Sequence, residues 1–221
     1  MNVGGSLESM IDVGKLTKEP IKQFIQAKRS TFVNLKNGDL FDLIFAERDE
    51  VSLGREDVFN FFEKDVELGI LSAFVWGFPT GGRGRLTRSI IDNFDSLKTI
   101  LNTIRNTELN EADFSALNRM KGLNFATNTK FLYFARSNIE QSPCLIFDKM
   151  VKDFLAIRRP HEYKDMFSYF DMKYSYGIDF KVYREYVIRT NEVAQLMGGL
   201  SSDALELYFF KYSPSRRRAI R

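Results

Sequence analysis

The sequence is poor in the two side chains that most often ligate metals, since it contains one cysteine and one histidine. A lone Cys144 excludes an internal disulfide, a cysteine-ligated iron–sulfur cluster and a zinc finger. Its only conceivable base is a distant histidine, so we interpret it as a small buried residue. His161, in RRPHEYKD, is expected in a surface loop. We expect no metal, no cofactor and a location in the reducing cytoplasm.

Long apolar runs are also lacking. The longest nearly uninterrupted run, GILSAFVWGF at 69–78, reaches about half of the roughly 20 residues that a membrane-spanning helix needs. The first residues, MNVGGSLESMIDVGKL, do not combine a basic start with an apolar block, as a secretory signal does. We therefore expect no membrane segment and no secretion.

The excess of positive charge is small, with 32 Lys and Arg against 29 Asp and Glu. Attraction for nucleic acid must therefore come from local patches. In GGRGRLTR (81–88) the glycines would let the backbone approach DNA, while Arg83, Arg85 and Arg88 would contact phosphates. The patch SRRRAIR at 215–221 is typical of a mobile basic tail that adds nonspecific affinity.

Hydrophobic periodicity predicts a predominantly helical chain. The clearest helix covers 86–105, where apolar residues recur at helical spacing on one face. Further helices are predicted at 20–28, 110–121, 127–137, 143–157, 179–198 and 201–210, and one or two more at 55–76. Strand signals are confined to 31–35 and 166–176. The predicted fold class is all-α, without internal repeats.

The stretch GLNFATNTKFLYFARSNIEQSPCLIFD (122–148) carries two charged residues that packing does not require. If Thr127 caps the second helix, Lys130 lies in its first turn, where the helix dipole disfavours an ammonium. Such an amine loses its proton readily, as a nucleophilic lysine must. Asp148, among apolar neighbours, can cap a helix while one oxygen faces a cavity. Singly, each has a simpler explanation, a solvated lysine and an ordinary cap; together they favour a functional site.

The connection KGLNFA between two predicted helices, with the residues that follow it, resembles the helix-hairpin-helix DNA glycosylases. The resemblance is to the 8-oxoguanine branch in particular, including its compact bacterial OGG-like members. In that superfamily a lysine after the hairpin is followed, beyond a proline, by an aspartate that begins the next helix. Here Gly122, Lys130, Pro143 and Asp148 occur in that order, and Asp148 lies 18 residues after Lys130. Fainter similarity extends to WGFPTGGRGR at 76–85 and DALELYFF at 203–210.

The resemblance implies a single glycosylase-like unit over 1–221, folded as two helical lobes with a cleft between them. One lobe would contain 52–136 and end in the hairpin. The other would combine 1–51 with 138–221. The β-rich N-terminal domain of the eukaryotic-type enzymes does not fit in the residues that precede the first lobe, so an all-α form is implied.

The resemblance also implies excision of a base that has been flipped out of the duplex. Lys130 would attack the sugar C1′ and form a Schiff base, and Asp148 would stabilise positive charge on the sugar. The Schiff base would permit strand scission by β-elimination. The implied partner is double-stranded DNA that contains a modified or damaged base, with no membrane and no obligatory protein partner.

Further site residues follow from the hairpin and from the aromatic residues near it. The hairpin would present backbone amides to a phosphate at the start of its second helix. The hairpin residues expected to contact DNA are Gly122, Asn124, Thr127 and Thr129. The aromatic candidates for the base pocket are Trp76, Phe78, Phe125 and Tyr133. A purely structural role is equally compatible with Trp76 and Phe78, as core residues beside a helix end at Gly77.

Three functions compete at this level. The first is a glycosylase with β-lyase activity on an oxidised purine such as 8-oxoguanine. The second is an anti-phage glycosylase that removes a hypermodified base such as glucosylated hydroxymethylcytosine. The third is a DNA-binding module that uses the hairpin without catalysis.

Overall fold

The structure, a computed structural model, describes residues 4–16, 20–32, 38–81, 85–172 and 178–215, and it is predominantly helical, as predicted. The helices are α1 Leu7–Met10, α2 Gly38–Phe45, α3 Arg55–Lys64, α4 Val66–Gly77, α5 Arg85–Asp92, α6 Phe94–Ile104, α7 Glu111–Asn118, α8 Phe125–Phe134, α9 Lys149–Arg158, α10 Phe167–Asp171, α11 Phe180–Leu196 and α12 Ser202–Tyr212. Short 3-10 turns lie at Val13–Lys15, Pro20–Lys22, Arg29–Thr31 and His161–Met166.

Two small antiparallel ribbons accompany the helices in the described part of the chain. Strand β1 Phe24–Lys28 pairs with β2 Glu50–Gly54, so that Phe24 lies opposite Gly54 and Lys28 opposite Glu50. Strand β3 Asn138–Ile139 pairs with β4 Ser142–Pro143. The all-α prediction therefore holds for the body of the protein, with these ribbons as additions.

The helix predicted over 20–28 is wrong. Only a 3-10 turn follows Pro20, and the chain then becomes strand β1. In β1 exposure alternates along the strand, with Ala27 buried between exposed Gln26 and Lys28, and the ladder partner is supplied by β2. Because β2 is distant from β1 in the sequence, the residues around β1 do not indicate this pairing.

Both predicted strands are also wrong where the structure describes them. Arg29–Thr31 forms a 3-10 turn, and 33–35 lie outside the described residues. Phe167–Asp171 is helix α10, because Phe167 and Phe170, three residues apart, are buried on the same face. Residues 173–176 lie outside the described residues.

Several predicted helices have different bounds, and the region 55–76 forms two helices, α3 and α4, with Asp65 between them. The helix over 86–105 is broken at Asn93, whose side-chain amide donates to the Ser89 and Lys121 carbonyls at 2.7 and 3.2 Å. The helix predicted from Pro143 begins at Lys149 instead. The buried segment 144–147 precedes this helix, and side chains of α11 hydrogen-bond to its backbone. The Tyr183 and Tyr186 hydroxyls donate to the Leu145 and Ile146 carbonyls.

One continuous hydrophobic core joins the two ends of the described chain. Helix α4 is apolar around its whole circumference because it is enclosed by α2, α3, α6 and α8. Helix α12 packs against α9 and α11. Residues from the C-terminal end of α4, from α8, from the start of α9 and from α12 line one cavity. The division into two lobes, 52–136 against 1–51 with 138–221, stays a prediction.

Candidate active site

Lys130 lies on the buried helix α8, in the second turn rather than the first. The N-cap is Asn124, whose Oδ1 accepts from the Thr127 backbone N–H at 2.9 Å, so the expectation that Thr127 caps this helix is wrong. The Thr127 hydroxyl donates to the same Oδ1 at 3.0 Å. Because Lys130 is six residues beyond the cap, the helix dipole is not what favours its neutral form.

Burial is what favours the neutral amine. Lys130 is 8% exposed, its Nζ donates to the Ala126 carbonyl at 3.3 Å, and it lies 5.5 Å from the centroid of the Phe78 ring. Desolvation lowers the pKa of Lys130 from its ordinary value; the charges of Asp148 and Glu206 oppose this, and the charge of Arg55 adds to it. A free amine on a cavity wall is the chemical form that a nucleophilic lysine requires.

Gly77, the last residue of α4, makes room for the Lys130 side chain. A Cβ at this position would lie 2.9 Å from Lys130 Cδ and 3.3 Å from Cε. Helix α4 ends here, with Phe78 as its C-cap. Gly77 thus allows close packing against the aliphatic part of the Lys130 side chain, and it also ends helix α4, as predicted.

Asp148 is the N-cap of α9, as the sequence predicted. Its Oδ1 accepts from the backbone N–H groups of Met150 and Val151 at 2.8 and 3.1 Å. The two cap bonds fall on one oxygen, and the half-buried residue lines the same cavity as Lys130. The carboxylate is therefore held at a fixed place on the cavity wall.

A hydrogen bond between the neighbours of these two residues fixes their relative position. The Thr129 hydroxyl accepts from the Phe147 backbone N–H at 3.1 Å and donates to the Ala126 carbonyl at 3.2 Å. Thr129 and Thr127 are 0% and 1% exposed. DNA contacts by Thr127 and Thr129 stay a prediction, and the buried Thr129 side chain ties α8 to the segment that carries Asp148.

The cavity has a volume of about 390 Å3, within the range of small-molecule sites. Its walls include Trp76 and Phe78, two of the aromatic residues predicted for the base pocket. The remaining lining residues are Gln23, Ile25, Arg55, Gly77, Pro79, Asn124, Ala126, Lys130, Ile146, Asp148, Lys149, Met150, Glu206 and Phe210. We call this space the Lys130 cavity.

The other two predicted pocket aromatics lie outside the Lys130 cavity. Phe125 packs among Phe114, Phe147 and Tyr183, with ring centroids 6.0, 5.6 and 5.6 Å away, and it borders a different hollow. Tyr133 borders a third hollow of about 800 Å3. Local sequence could not separate these rings, because all of them are apolar residues on or near the same two helices.

At the hairpin, Gly122 and Asn124 are exposed at the start of α8. Gly122 has φ +83°, and a Cβ there would lie 2.1 Å from Ser89 Oγ, so the turn requires glycine. Arg88 is exposed on α5, whereas Arg83 and the side chain of Arg85 lie outside the described residues. DNA contacts by these residues stay a prediction. The basic tail after Ser215 likewise lies outside the described residues.

Arg55 and Glu206 form a buried ion pair that the sequence reasoning missed. Each side chain is 1% exposed, and Arg55 Nη1 lies 2.9 Å from Glu206 Oε2. Burial raises the pKa of Glu206 to about 7, an effect that the Arg55 charge opposes. The available signals were a glutamate on the apolar side of α12 and an arginine in the first turn of α3, where the dipole disfavours a cation.

Among the described residues, no cluster of three His, Cys, Asp or Glu side chains is arranged to hold a metal ion. Across the same residues, no helix combines the length and the apolar character that crossing a membrane demands.

Comparison with known proteins identifies the family. The chain matches the family model described as "Putative 8-oxoguanine DNA glycosylase OGG-like protein" over residues 22–210, which includes every residue of the Lys130 cavity. No curated protein and no solved structure gives a significant match. The matched range covers most of the 221 residues, and the chain therefore belongs to the OGG-like 8-oxoguanine DNA glycosylase family.

Proposed function

We propose that this protein is a DNA glycosylase with β-lyase activity that excises a modified or damaged base from double-stranded DNA, with 8-oxoguanine as the first candidate. The observation that carries the proposal is a buried Lys130, with a lowered pKa, on the wall of the cavity that Asp148 also lines. Family membership supports the same reaction class.

The chemistry begins with the flipped base in the Lys130 cavity. The free amine of Lys130 attacks C1′, and the bond from C1′ to the base nitrogen breaks, so that the base leaves with the electron pair and takes up a proton. Asp148 stabilises positive charge on the sugar and accepts a proton from the lysine nitrogen. Opening of the sugar ring then gives the Schiff base.

The lyase step follows from the Schiff base. The protonated imine acidifies the C2′ hydrogen, its loss drives cleavage of the bond between C3′ and oxygen, and the 3′ phosphate departs. Water then hydrolyses the imine and regenerates Lys130.

The test is borohydride trapping on labelled duplexes that contain 8-oxoguanine, uracil, an abasic site or glucosylated hydroxymethylcytosine. We expect a covalent complex with the 8-oxoguanine and abasic duplexes, and its loss in Lys130→Gln. Trapping that persists in Lys130→Gln would remove this lysine from the mechanism.

The same panel separates the competing functions. Action on the glucosylated base alone would indicate the anti-phage activity. Binding without trapping or base release on any duplex would favour a noncatalytic hairpin module.

A further inference from the structure

A second cavity, larger than the Lys130 cavity, lies at the end of α8 that is remote from the hairpin. Its volume is about 800 Å3, and its walls come from the C-terminal ends of α8 and α11, the ribbon of β3 and β4, and the first turn of α12. Among the described residues, none lines both this space and the Lys130 cavity. We call it the rear pocket.

Amides and hydroxyls form most of the wall of the rear pocket. An amide side chain donates and accepts hydrogen bonds at once. Gln141 and Gln195 are exposed and Asn138 is half-buried, and these three side chains have no hydrogen-bond partner within the described part of the chain. Their hydrogen-bonding capacity is therefore available to a ligand.

The charges of the rear pocket disfavour an anion. Its charged residues are Arg136, Glu192 and Asp203. The Arg136 guanidinium carbon lies 4.8 Å from the centroid of the Phe59 ring, and its Nε lies 3.8 Å from a carboxylate oxygen of Glu63. A phosphate group in the pocket would meet two carboxylates against one cation, so an uncharged ligand fits better.

A flat aromatic ligand fits poorly as well. The two aromatic rings in the wall, Phe59 and Tyr133, are 9% and 6% exposed, so they offer little surface for a base to stack on. The chemistry that remains is that of a neutral molecule with several hydroxyl groups, each of which donates and accepts as the amides do.

Hydrogen bonds join the rear pocket to the Lys130 cavity. The Tyr133 hydroxyl donates to Asp203 Oδ2 at 3.2 Å and accepts from Arg55 Nη1 at 3.0 Å. Arg55 Nη1 also donates to Glu206 Oε2 at 2.9 Å, and the charges of both residues act on Lys130. A ligand hydroxyl that donates to Asp203 competes with Tyr133 for this carboxylate, so its binding changes the contacts of Arg55.

We propose that the rear pocket is a second ligand site, that it takes a small uncharged sugar, and that the bound sugar alters the reactivity of Lys130 through Tyr133 and Arg55. The volume lies within the range of small-molecule sites. Sugar binding is independent of the proposed glycosylase function, whereas the effect on Lys130 rests on it.

The first experiment measures binding by saturation-transfer NMR with the full chain and four probes: methyl glucoside, trehalose, trehalose 6-phosphate and thymidine. Both neutral sugars are non-reducing, because a free aldehyde would react with lysine amines. We expect saturation transfer to methyl glucoside and trehalose, and little to the phosphorylated sugar or the nucleoside. Binding of neither neutral sugar would overturn the site, and binding of the phosphorylated sugar or thymidine in preference would overturn the ligand class.

The variant Gln195→Leu locates the bound sugar. It removes one exposed amide from the rear pocket and should weaken trehalose binding by about fivefold, the size expected for one hydrogen bond. The matched control is Asn102→Leu, which removes an exposed amide of α6 outside the rear pocket and should bind as the wild type does. Equal affinity of the two variants would place the sugar elsewhere and overturn the assignment.

The second experiment measures the effect on Lys130. Saturating trehalose should change the rate of borohydride trapping at an abasic duplex by about fivefold, the lower end of typical coupling between two sites. Tyr133→Phe, which lacks the connecting hydroxyl, should bind trehalose and show no such change. Sugar binding without any effect on wild-type trapping would overturn the coupling. Wild-type protein that binds sugar but never traps an abasic site would overturn the proposed function and not the sugar site.

Discussion

Two buried basic side chains, Arg55 and Lys130, line the Lys130 cavity, and their surroundings shift their pKa values in opposite directions. Arg55 is completely buried, yet it has a carboxylate, a hydroxyl and an amide oxygen around its guanidinium. Burial opposes its charge, but Glu206 and Tyr133 outweigh that and raise the pKa of Arg55. Lys130 has a carbonyl at 3.3 Å and an aromatic ring, and burial lowers its pKa. Of the two buried side chains, the one surrounded by partners therefore has a raised pKa, and the one with few partners has a lowered pKa.

The largest expected effect comes from leaving one member of the ion pair alone. Arg55→Met strands Glu206 in the interior, and we expect the free energy of unfolding to fall by about 3–5 kcal/mol. The double replacement Arg55→Met with Glu206→Leu should recover most of that loss. Denaturant unfolding of the three proteins checks both statements. A single variant as stable as the wild type would mean that Arg55 is not needed to hold a charged Glu206.

The next effect concerns the placement of the amine. In Gly77→Ala the new methyl would overlap the flexible stem of Lys130, so the lysine must shift while the backbone can stay. A displacement of about 1 Å can cost roughly 100-fold in rate. We expect a loss of this order in borohydride trapping at an abasic duplex, with little change in melting temperature.

Gly14→Ala is the matched control, because among the described residues a Cβ there would approach only Asp12 Oδ1, at 3.3 Å, and Gly14 does not line the Lys130 cavity. Trapping by Gly77→Ala at the rate of Gly14→Ala would show that the lysine accommodates a side chain at 77.

Removing the Lys130 amine is expected to have a smaller effect on the free energy of unfolding. Lys130→Met replaces a buried amine, which has a lowered pKa and a hydrogen bond of 3.3 Å, with an apolar group of similar length, so the free energy of unfolding should change by less than about 1 kcal/mol. Trapping should be abolished in the same protein. A loss of stability comparable to that of Arg55→Met would show that Lys130 is a structural cation after all.

The sequence predicted the parts of this site that depend on neighbouring residues. The cap at Asp148, the helix that carries Lys130 and the start of a helix near residue 110 are local features, and the structure confirms them. The resemblance to OGG-like glycosylases also depended on residues close together in the chain, and the family match confirms it.

The features that the sequence did not predict depend on distant partners. Strand β1 needs β2, and segment 144–147 needs the tyrosines of α11. Arg55 and Glu206 are 151 residues apart, and neither alone distinguishes an ion pair from a surface charge. For the same reason, only two of the four predicted pocket aromatics line the Lys130 cavity, because tertiary packing decides which rings face it.

The smallest effect is a shift in the pH dependence of Lys130. Its lowered pKa means that trapping at an abasic duplex should rise with pH and level off below pH 10.5, the ordinary lysine pKa. The charged groups that act on it are Asp148, Glu206 and Arg55. Glu206→Gln removes a negative charge that stabilises the ammonium, so the midpoint of the rise should move to lower pH.

The double variant sharpens this comparison between the two cations. Arg55→Met with Glu206→Leu removes a positive and a negative charge together, and their opposite effects on Lys130 offset each other. Its midpoint should therefore lie closer to the wild-type value than that of Glu206→Gln. Trapping rates measured across the pH range for the three proteins decide this. A shift of Glu206→Gln toward higher pH would mean that Glu206 does not act on Lys130 through its charge.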